Sequence, residues 1–497
     1  MNELYTKFHQ LRSNISDLAY THAVLNWDME IYMPKGGSDF RSQQISTLAG
    51  LVHDLSTSNE MGDLLAKLAK DDTLNAIERR NVQESVRLYE RERKLDNDFV
   101  KRLSQAISQS YKAWMQARDK DDFKVFAPQL KEVFELSREK AARFGYQGHP
   151  YDALLDEYEP GMKTNTLDTV FSGVKSKLGA FINKIKDQEA PDQAILNADF
   201  PIQAQEALCK TIATGLGFDW NRGRLDISEH PFTTSFNPND VRITTRYKEN
   251  NLLESVWGVI HEVGHGLYEQ GLPDSQYGLP AGEPVSLAIH ESQSRLWENN
   301  VGKSFNFIDA YWDTFQNSFP EAFANKSSQS FFKAINKIEP NLIRTDSDEV
   351  TYHFHILLRY EIEKGLMEGS LDILDLEDIW NSKIKEYLGL DVPSPKLGVL
   401  QDIHWSHGSI GYFPTYSLGT FYAAQFYATA AKAIPDLDHQ IHHKNFAPLL
   451  VWLRENIHRL GHQYDSEELC LKVSGEPLNY NYFDEYIHHK FGQVYKF

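Results

Sequence analysis

Two histidines and a glutamate stand together in the segment His261-Glu262-Val263-Gly264-His265, which has the pattern H-E-x-x-H. The flanking residues between Leu252 and Leu267 are mostly apolar, as in a buried helix. Positions four apart share one face of a helix, so both imidazoles can bind one metal ion. Glu262 follows the first histidine and can take a proton from a water that the metal activates. The pattern predicts hydrolysis at a zinc-type site.

The same five residues can also lie on a helix surface without a metal. The apolar flanks argue against that interpretation, because buried imidazoles need polar partners. Gly264 and Gly266 each cost about 1 kcal/mol relative to alanine inside a helix. Their presence beside the histidines predicts that another backbone or a substrate approaches the helix closely.

A catalytic zinc usually has three protein ligands and one open position. The best candidate for the third ligand is Glu291, in the segment His290-Glu291-Ser292-Gln293 on a helix predicted from Pro284 to Asn299. The preceding connection is rich in Gly and Pro, so the two helices can fold back on each other. His290 is the alternative ligand, and only one of these adjacent residues is expected to point at the metal. A carboxylate would complete a site of two histidines and one glutamate.

The composition limits the possible classes of function. The 497-residue chain is 41% hydrophobic and has a formal net charge of -19. Binding to nucleic acid or to an anionic membrane requires clusters of Lys and Arg, which are largely absent. Cys209 and Cys470 lack metal-type spacing, which is typical of a reducing compartment. Because the sequence contains neither an apolar run of about 18 residues nor a signal-peptide pattern, we expect a cytoplasmic protein.

Helical periodicity dominates the chain, with breaks at Gly145-Tyr146-Gln147-Gly148-His149-Pro150 and at Glu159-Pro160-Gly161. Further helices are predicted at Leu167 to Ile185, Ile202 to Leu216, Tyr352 to Met367, Leu374 to Leu388 and Leu418 to Lys432. Short segments rich in β-branched residues predict strands at Leu225 to Ser228, Thr233 to Phe236 and Val241 to Thr245. No linker of domain-separating length occurs. We therefore expect a single catalytic domain over residues 1–497, with an N-terminal helical region at 1–145 and the site in 146–497.

Six short motifs occur in order along the chain. They are His230-Pro231-Phe232, Asp240-Val241-Arg242-Ile243-Thr244, the H-E-x-x-H segment, His290-Glu291-Ser292-Gln293, Ile343-Arg344-Thr345-Asp346-Ser347-Asp348, and Gly398-Val399-Leu400-Gln401-Asp402-Ile403-His404-Trp405. Their residues and order closely resemble those of the carboxypeptidase Taq family of metallocarboxypeptidases. Ser347 is a departure, because it stands where the family pattern has alanine. This small-for-small change concerns packing rather than chemistry.

The resemblance implies a mainly α fold, a helical zincin similar to neurolysin and angiotensin-converting enzyme. Such a fold has a long substrate groove and a small β-sheet beside the metal helix. The implied activity is the release of C-terminal amino acids from peptides. The implied cofactor is Zn²⁺, with Co²⁺ as the alternative, and the implied assembly is a homodimer.

The resemblance also assigns roles to individual residues. It supports His261, His265 and Glu291 as metal ligands and Glu262 as general base, and it assigns substrate roles to His230, Arg344, His404 and Tyr416. A tyrosine hydroxyl can donate to the oxyanion, and Tyr412 is the alternative to Tyr416 for that role. A guanidinium can hold a terminal carboxylate through two parallel hydrogen bonds. For Arg344 and His404, a structural ion pair and a buried histidine are the alternatives.

Two other functions use the same residues. A helical endopeptidase or dipeptidase would share the metal site without depending on a free substrate carboxylate. An inactive peptide-binding or structural-metal protein would need no general base, because a structural zinc site closes with four ligands. The presence of Glu262 argues against this last alternative.

Overall fold

The computed structural model of the chain describes residues 2–495. Its α-helices, in chain order, are α1 Glu3–Ile31, α2 Ser38–Ser56, α3 Asn59–Leu68, α4 Ala76–Arg93, α5 Asn97–Lys120, α6 Ala127–Phe144, α7 Pro150–Leu155, α8 Thr164–Gly173, α9 Gly179–Ile185, α10 Ile202–Leu216, α11 Leu252–Glu269, α12 Leu287–Arg295, α13 Phe305–Ser318, α14 Ser328–Ile335, α15 Tyr352–Glu368, α16 Leu376–Leu388, α17 Pro414–Ala433, α18 Leu437–His442, α19 Ala447–Asn456, α20 Ser466–Ser474 and α21 Asn481–Tyr495. The predicted mainly α fold is confirmed. No helix among residues 2–495 is both long and apolar enough to cross a membrane.

The three predicted strands form one small sheet. Their bounds are β1 Gly223–Ile227, β2 Thr233–Asn237 and β3 Asp240–Thr245. Strand β3 lies in the centre, parallel to β1 and antiparallel to β2. The antiparallel register pairs Thr233 with Ile243. The sheet immediately precedes α11 in sequence and packs against it, so the expected small sheet beside the metal helix is confirmed.

Most predicted helices lie where expected, and α10 matches its prediction at both ends. The predicted start of the second metal-site helix at Pro284 is wrong. Helix α12 begins at Leu287 because the side chain of Ser286 accepts a hydrogen bond from the Ile289 amide and caps the helix. It continues as a π-helical segment, Leu296–Gly302, beyond the predicted end. A second π-helical segment separates α8 from α9, where the sequence predicted one continuous helix.

The chain forms two compact units, and each is built from three separate segments. The first unit contains the residues up to Arg93, Asp192–Ile335 and Phe426–Pro477. In it, α11 packs against α10, α12 and β3. The second contains Lys94–Pro191, Asn336–Gln425 and the residues from Leu478 onward. In it, the deeply buried α15 packs against α6, α7 and α16.

Candidate active site

Helix α11 carries the H-E-x-x-H segment in the core of the first unit. The helix begins after Asn251, whose side chain accepts a hydrogen bond from the Glu254 amide. Apolar side chains on most of its surface, among them Val256, Val259 and Ile260, are fully buried. This burial stabilises the helix despite its glycines.

Two of the glycines explain how neighbouring elements come close to α11. A β-carbon on Gly264 would lie 2.6 Å from the Cα of Ser294 and 2.7 Å from the carbonyl oxygen of Gln293, both in α12. A β-carbon on Gly266 would lie 2.8 Å from the Phe218 ring. The predicted close approach of another backbone is therefore confirmed at Gly264. It brings α12, and with it Glu291, against the face that carries the two histidines.

The structure brings together the three residues that the sequence proposed as metal ligands. The carboxylate oxygen Oε2 of Glu291 lies 3.6 Å from Nε2 of His261 and 3.4 Å from Nε2 of His265. One ligand atom from each of the three residues lies within 4.8 Å of the others. All three side chains are largely buried. Two imidazole nitrogens and one carboxylate oxygen that converge in this way form a donor set that suits a divalent cation such as zinc.

In His261 and Glu291, the polar side-chain atom that points away from the cluster contacts a neighbouring side chain. Nδ1 of His261 lies 2.9 Å from Glu298 Oε2, and Oε1 of Glu291 accepts a 2.7 Å hydrogen bond from Arg295 Nε. Arg295 also donates to Glu298 at 3.0 Å. Such contacts orient metal-binding side chains and fix the imidazole tautomer. The cluster therefore fits a divalent metal in its surroundings as well as in its donor atoms.

His290, the alternative ligand, takes part in a different contact. Its Nδ1 lies 2.5 Å from Nδ1 of His265, and its Nε2 lies 2.8 Å from Glu269 Oε1. If His290 donates to Glu269 and accepts from His265, the Nε2 lone pair of His265 stays available for a metal. In this arrangement His290 orients His265, and Glu291 completes the cluster.

The pKa values of the two glutamates beside the histidines shift in opposite directions. Burial acts to raise the pKa of Glu291, but Arg295 and the two histidines outweigh it and hold the pKa well below its usual range. Glu291 is therefore an anion that can neutralise part of a cation's charge. Burial raises the pKa of Glu262, whose side chain is 6% exposed. A buried carboxylate with a raised pKa is a stronger base than an exposed one.

Thr233 is a contact of Glu262 that the sequence analysis did not identify. Its hydroxyl Oγ1 lies 2.6 Å from Oε2 of Glu262 and 3.1 Å from the Glu262 carbonyl oxygen. Thr233 begins β2, directly after the motif His230-Pro231-Phe232. A threonine at the start of a strand is too common to signal such a role from sequence alone.

His230 lies in the loop between β1 and β2. Its side chain is exposed, and its backbone carbonyl accepts a 2.7 Å hydrogen bond from the Ser228 hydroxyl. Within residues 2–495, the His230 imidazole forms no hydrogen bond. The structure thus does not join His230 to the metal-site cluster through a direct contact.

Arg344, in the second unit, pairs with a carboxylate from the sixth motif. Its Nη2 and Nε atoms donate to Asp402 Oδ1 at 2.8 and 3.1 Å, and its Nη1 donates to Tyr352 at 2.9 Å. Arg359 donates to the other Asp402 oxygen at 2.7 Å. Burial acts to raise the pKa of Asp402, but Arg359 and Arg344 hold it well below its usual range. The three charged groups carry one net positive charge.

His404 and Tyr416 lie together in the second unit. Nε2 of His404 is 3.2 Å from the Tyr416 hydroxyl, and the Arg344 guanidinium lies 5.0 Å from the centre of the Tyr416 ring. The Tyr412 ring packs edge-on against the Tyr416 ring. Burial lowers the pKa of His404 to about 4, so its imidazole is neutral at pH 7. This cluster combines a cation, a neutral imidazole and a phenol, all of which can donate hydrogen bonds.

The whole chain is similar to proteins of one family. The sequence model of the carboxypeptidase Taq (M32) metallopeptidase family matches residues 7–491. The chain belongs to this family. It is 38% identical to thermostable carboxypeptidase 1 of Thermus thermophilus over 99% of each chain, and 34% identical to carboxypeptidase 1 of Bacillus subtilis over 98% of each chain. Its fold matches the crystal structure of the M32 carboxypeptidase from Deinococcus radiodurans with a TM-score of 0.98, at 35% identity and with complete coverage of both chains.

Membership of the carboxypeptidase Taq family confirms the resemblance that the six motifs indicated. The chain is a metallocarboxypeptidase, and enzymes of this class act on peptides with a divalent metal. The cluster of two histidines and one glutamate supplies suitable ligands. Sequence reasoning missed Thr233, Glu298 and Arg295, whose side chains contact Glu262, His261 and Glu291, respectively. Thr233 and Glu298 lie 29 and 37 positions from their partners, so nothing in their local sequence marks them. Arg295 stands four residues after Glu291, and this helical ion-pair spacing was a signal that the sequence offered.

Proposed function

We propose that this chain releases C-terminal amino acids from peptides with a zinc ion bound by His261, His265 and Glu291. The observation that carries the proposal is the convergence of one atom from each of these residues, in a chain that belongs to a metallocarboxypeptidase family. Such a cation supplies Lewis-acid chemistry, since it polarises a carbonyl and makes a water molecule more acidic. Co²⁺ is the alternative metal.

Glu262 is the general base in this proposal. It adjoins His261 in sequence, and its buried carboxylate has a raised pKa. The carboxylate accepts a proton from the attacking water and later passes it to the leaving amine. This sequence of transfers returns Glu262 to its starting state and explains why a side chain that is not a ligand lies beside the ligands.

Arg344 is the proposed contact for the substrate's terminal carboxylate. Asp402 does not fully neutralise the positive charge of Arg344, because Arg344 and Arg359 share that single carboxylate. The excess positive charge favours an anionic group, and a guanidinium has five N–H donors. Tyr416, aided by His404, is the proposed donor to the oxyanion. His230 is proposed as a further substrate contact on the strength of the family motif.

Two broader properties belong to the proposal as well. We propose a homodimer, because the motifs resemble a family whose members usually form one. We propose a cytoplasmic location, because the cysteine usage is typical of a reducing compartment. Analytical ultracentrifugation would test the first property, and cell fractionation the second.

One experiment tests the function directly. Metal content is measured by mass spectrometry in the wild-type enzyme and in Glu291→Ala, and both are incubated with one unmodified peptide whose products are identified over time. We expect one metal per chain, stepwise loss of C-terminal residues, and loss of both metal and activity in the variant. Full metal retention in Glu291→Ala would contradict the ligand assignment. Cleavage at internal bonds would favour the endopeptidase alternative.

A further inference from the structure

The contact between Thr233 and Glu262 makes the two carboxylate oxygens of the proposed general base different from each other, because only one of them contacts Thr233. A carboxylate and a carbonyl only accept hydrogen bonds, so the Thr233 hydroxyl must be the donor. The 2.6 Å distance to Oε2 makes that atom its main acceptor, ahead of the Glu262 carbonyl oxygen at 3.1 Å. Within the part of the chain that the structure describes, Oε1 of Glu262 accepts no hydrogen bond. One oxygen is therefore held, and the other is available.

The position of Thr233 is fixed by the sheet on which it lies. The preceding residue, Phe232, donates its amide to the Thr244 hydroxyl at 2.8 Å and accepts from the Thr244 amide at 2.9 Å. Thr244 is fully buried in β3, and its hydroxyl also lies within hydrogen-bond distance of the Ser228 hydroxyl, at 2.7 Å. Gly266 lets α11 pack closely against the same strand. The donor and the base thus belong to two elements in direct contact.

We propose that Thr233 is a positioning residue for Glu262, holding Oε2 so that Oε1 faces the attacking water and receives its proton. The inference rests on the proposed function, in which Glu262 is the base. The proton moves from the water oxygen to Oε1, and the hydrogen bond to Oε2 is retained throughout the transfer. Thr233 takes no proton itself and touches none of the reacting atoms.

The physical reason is orientation in a buried site. The terminal torsion of a glutamate is broad, so a carboxylate without a partner samples many orientations. A hydrogen bond to a charged acceptor is stronger than one between neutral groups, and it restricts the carboxylate to a narrow range. Because proton transfer requires a correctly placed acceptor, loss of this restraint lowers kcat and leaves substrate binding unchanged.

The test compares Thr233→Val, which removes the hydroxyl at constant shape, with Thr233→Ser, which retains it. Thr245→Val is the matched control, because Thr245 is a fully buried threonine of the same sheet whose hydroxyl has no hydrogen-bond partner within residues 2–495. We expect Thr233→Val to lower kcat roughly 10–100-fold with KM within twofold. Thr233→Ser should recover most of this loss, and Thr245→Val should retain wild-type kcat.

Metal content and the melting temperature of the metal-free protein are measured for every variant. Wild-type values in Thr233→Val, together with a changed Glu262 carboxylate orientation in its crystal structure, would support the proposal. An unchanged kcat would overturn it. If Thr233→Val loses metal or stability, Thr233→Ser decides the matter: a kcat near wild type supports the positioning role, and a loss equal to that of valine contradicts it.

A double-mutant cycle separates this inference from the proposed function. In a Glu262→Gln background, Thr233→Val should change kcat less than twofold, because there is no base left to position. An additive loss would show that Thr233 acts elsewhere and would overturn the inference. If Glu262→Gln alone keeps wild-type kcat, the proposed function fails first. If it loses activity while Thr233→Val does not, only the positioning role fails.

Discussion

Glu298 Oε2 lies 2.9 Å from Nδ1 of His261, the ring nitrogen that does not face Glu291. The same carboxylate is held by Arg295 at 3.0 Å and by Lys303 at 2.7 Å. Because Glu298 accepts the Nδ1 hydrogen of His261, the Nε2 lone pair stays available on the side of Glu291, where we propose that the metal binds. A residue 37 positions from the first histidine thus determines which nitrogen can act as a ligand.

Glu298→Gln should weaken metal binding. The amide is uncharged and can present N–H in place of an acceptor, so the tautomer of His261 is no longer fixed. We expect metal affinity to fall roughly 10–100-fold, measured by competition with a chromogenic chelator. Glu84→Gln is the control, because Glu84 is a buried carboxylate of the same unit that pairs with Arg87. Equal affinity losses in the two variants would remove the specific role of Glu298.

Glu262→Gln should separate binding from chemistry. The amide keeps the shape of the side chain but cannot accept a proton. We expect full metal content, an unchanged fold by circular dichroism, and a kcat reduced roughly 10²–10⁴-fold. A variant with kcat near wild type would require a different base.

Arg344→Ala and amidation of the peptide's C-terminus should remove the same interaction from opposite sides. Each change alone should reduce kcat/KM roughly 10–150-fold, the effect expected of one charge-assisted hydrogen bond. The two together should cost little more than either alone, because non-additivity marks a shared contact. If amidated and free peptides are cut equally fast, Arg344 has only its structural pairing with Asp402.

Gly264→Ala should disturb the metal site through packing alone. The added methyl group would meet the backbone of Gln293 and Ser294, so α12 must move away from α11. We expect a loss of stability of about 1–3 kcal/mol and weaker metal binding. Gly258→Ala, on the same helix, meets only the Thr245 hydroxyl at 3.8 Å and should stabilise the protein by up to about 1 kcal/mol. Thermal unfolding of the two variants measures the contrast.

Glu363 should make the stability of the folded chain depend on pH. It is fully buried and accepts hydrogen bonds from Tyr151, Trp405 and the Gly411 amide. Burial raises its pKa from 4.5 to about 7, although these three donors and Arg359 act in the opposite direction. The folded chain therefore keeps a proton that the unfolded chain releases. The stabilisation from this proton is complete below about pH 4.5 and is lost as the pH rises through about 7.

Glu363→Gln removes this titration. The difference in stability between wild type and variant should fall with rising pH, at a slope of up to about 1.4 kcal/mol per pH unit between pH 5 and 7. Thermal unfolding of both proteins at several pH values measures it, and other titrating groups cancel in the difference. A constant difference across this range would show that Glu363 is ionised in the folded state at every pH tested.

The cluster of His261, His265 and Glu291 was largely predictable because local rules bring its residues together. Helical spacing places His261 and His265 on one face, and a Gly- and Pro-rich connection allowed Glu291 to return to them. The choice between Glu291 and His290 needed the structure. Both residues contact His265, but at different ring nitrogens: Glu291 Oε2 lies 3.4 Å from Nε2, and His290 Nδ1 lies 2.5 Å from Nδ1.

The residues around the site were not predictable in the same way. Thr233 reaches Glu262 across 29 positions, and Glu298 reaches His261 across 37. Neither contact follows a sequence period, because each depends on how separate elements pack. The pairing of Arg344 with Asp402 joins two motifs that the sequence presented separately. Asp402 of the sixth motif is thus the ion-pair partner of Arg344 in the fifth motif.

The alternation of segments between the two units has a consequence for any attempt to divide the enzyme. The chain leaves one unit for the other after Arg93, Pro191, Ile335, Gln425 and Pro477. No single cut can therefore yield a fragment that holds all of one unit and none of the other. Truncation from either end removes a segment that the core of at least one unit needs. We therefore expect only the full-length chain to fold stably.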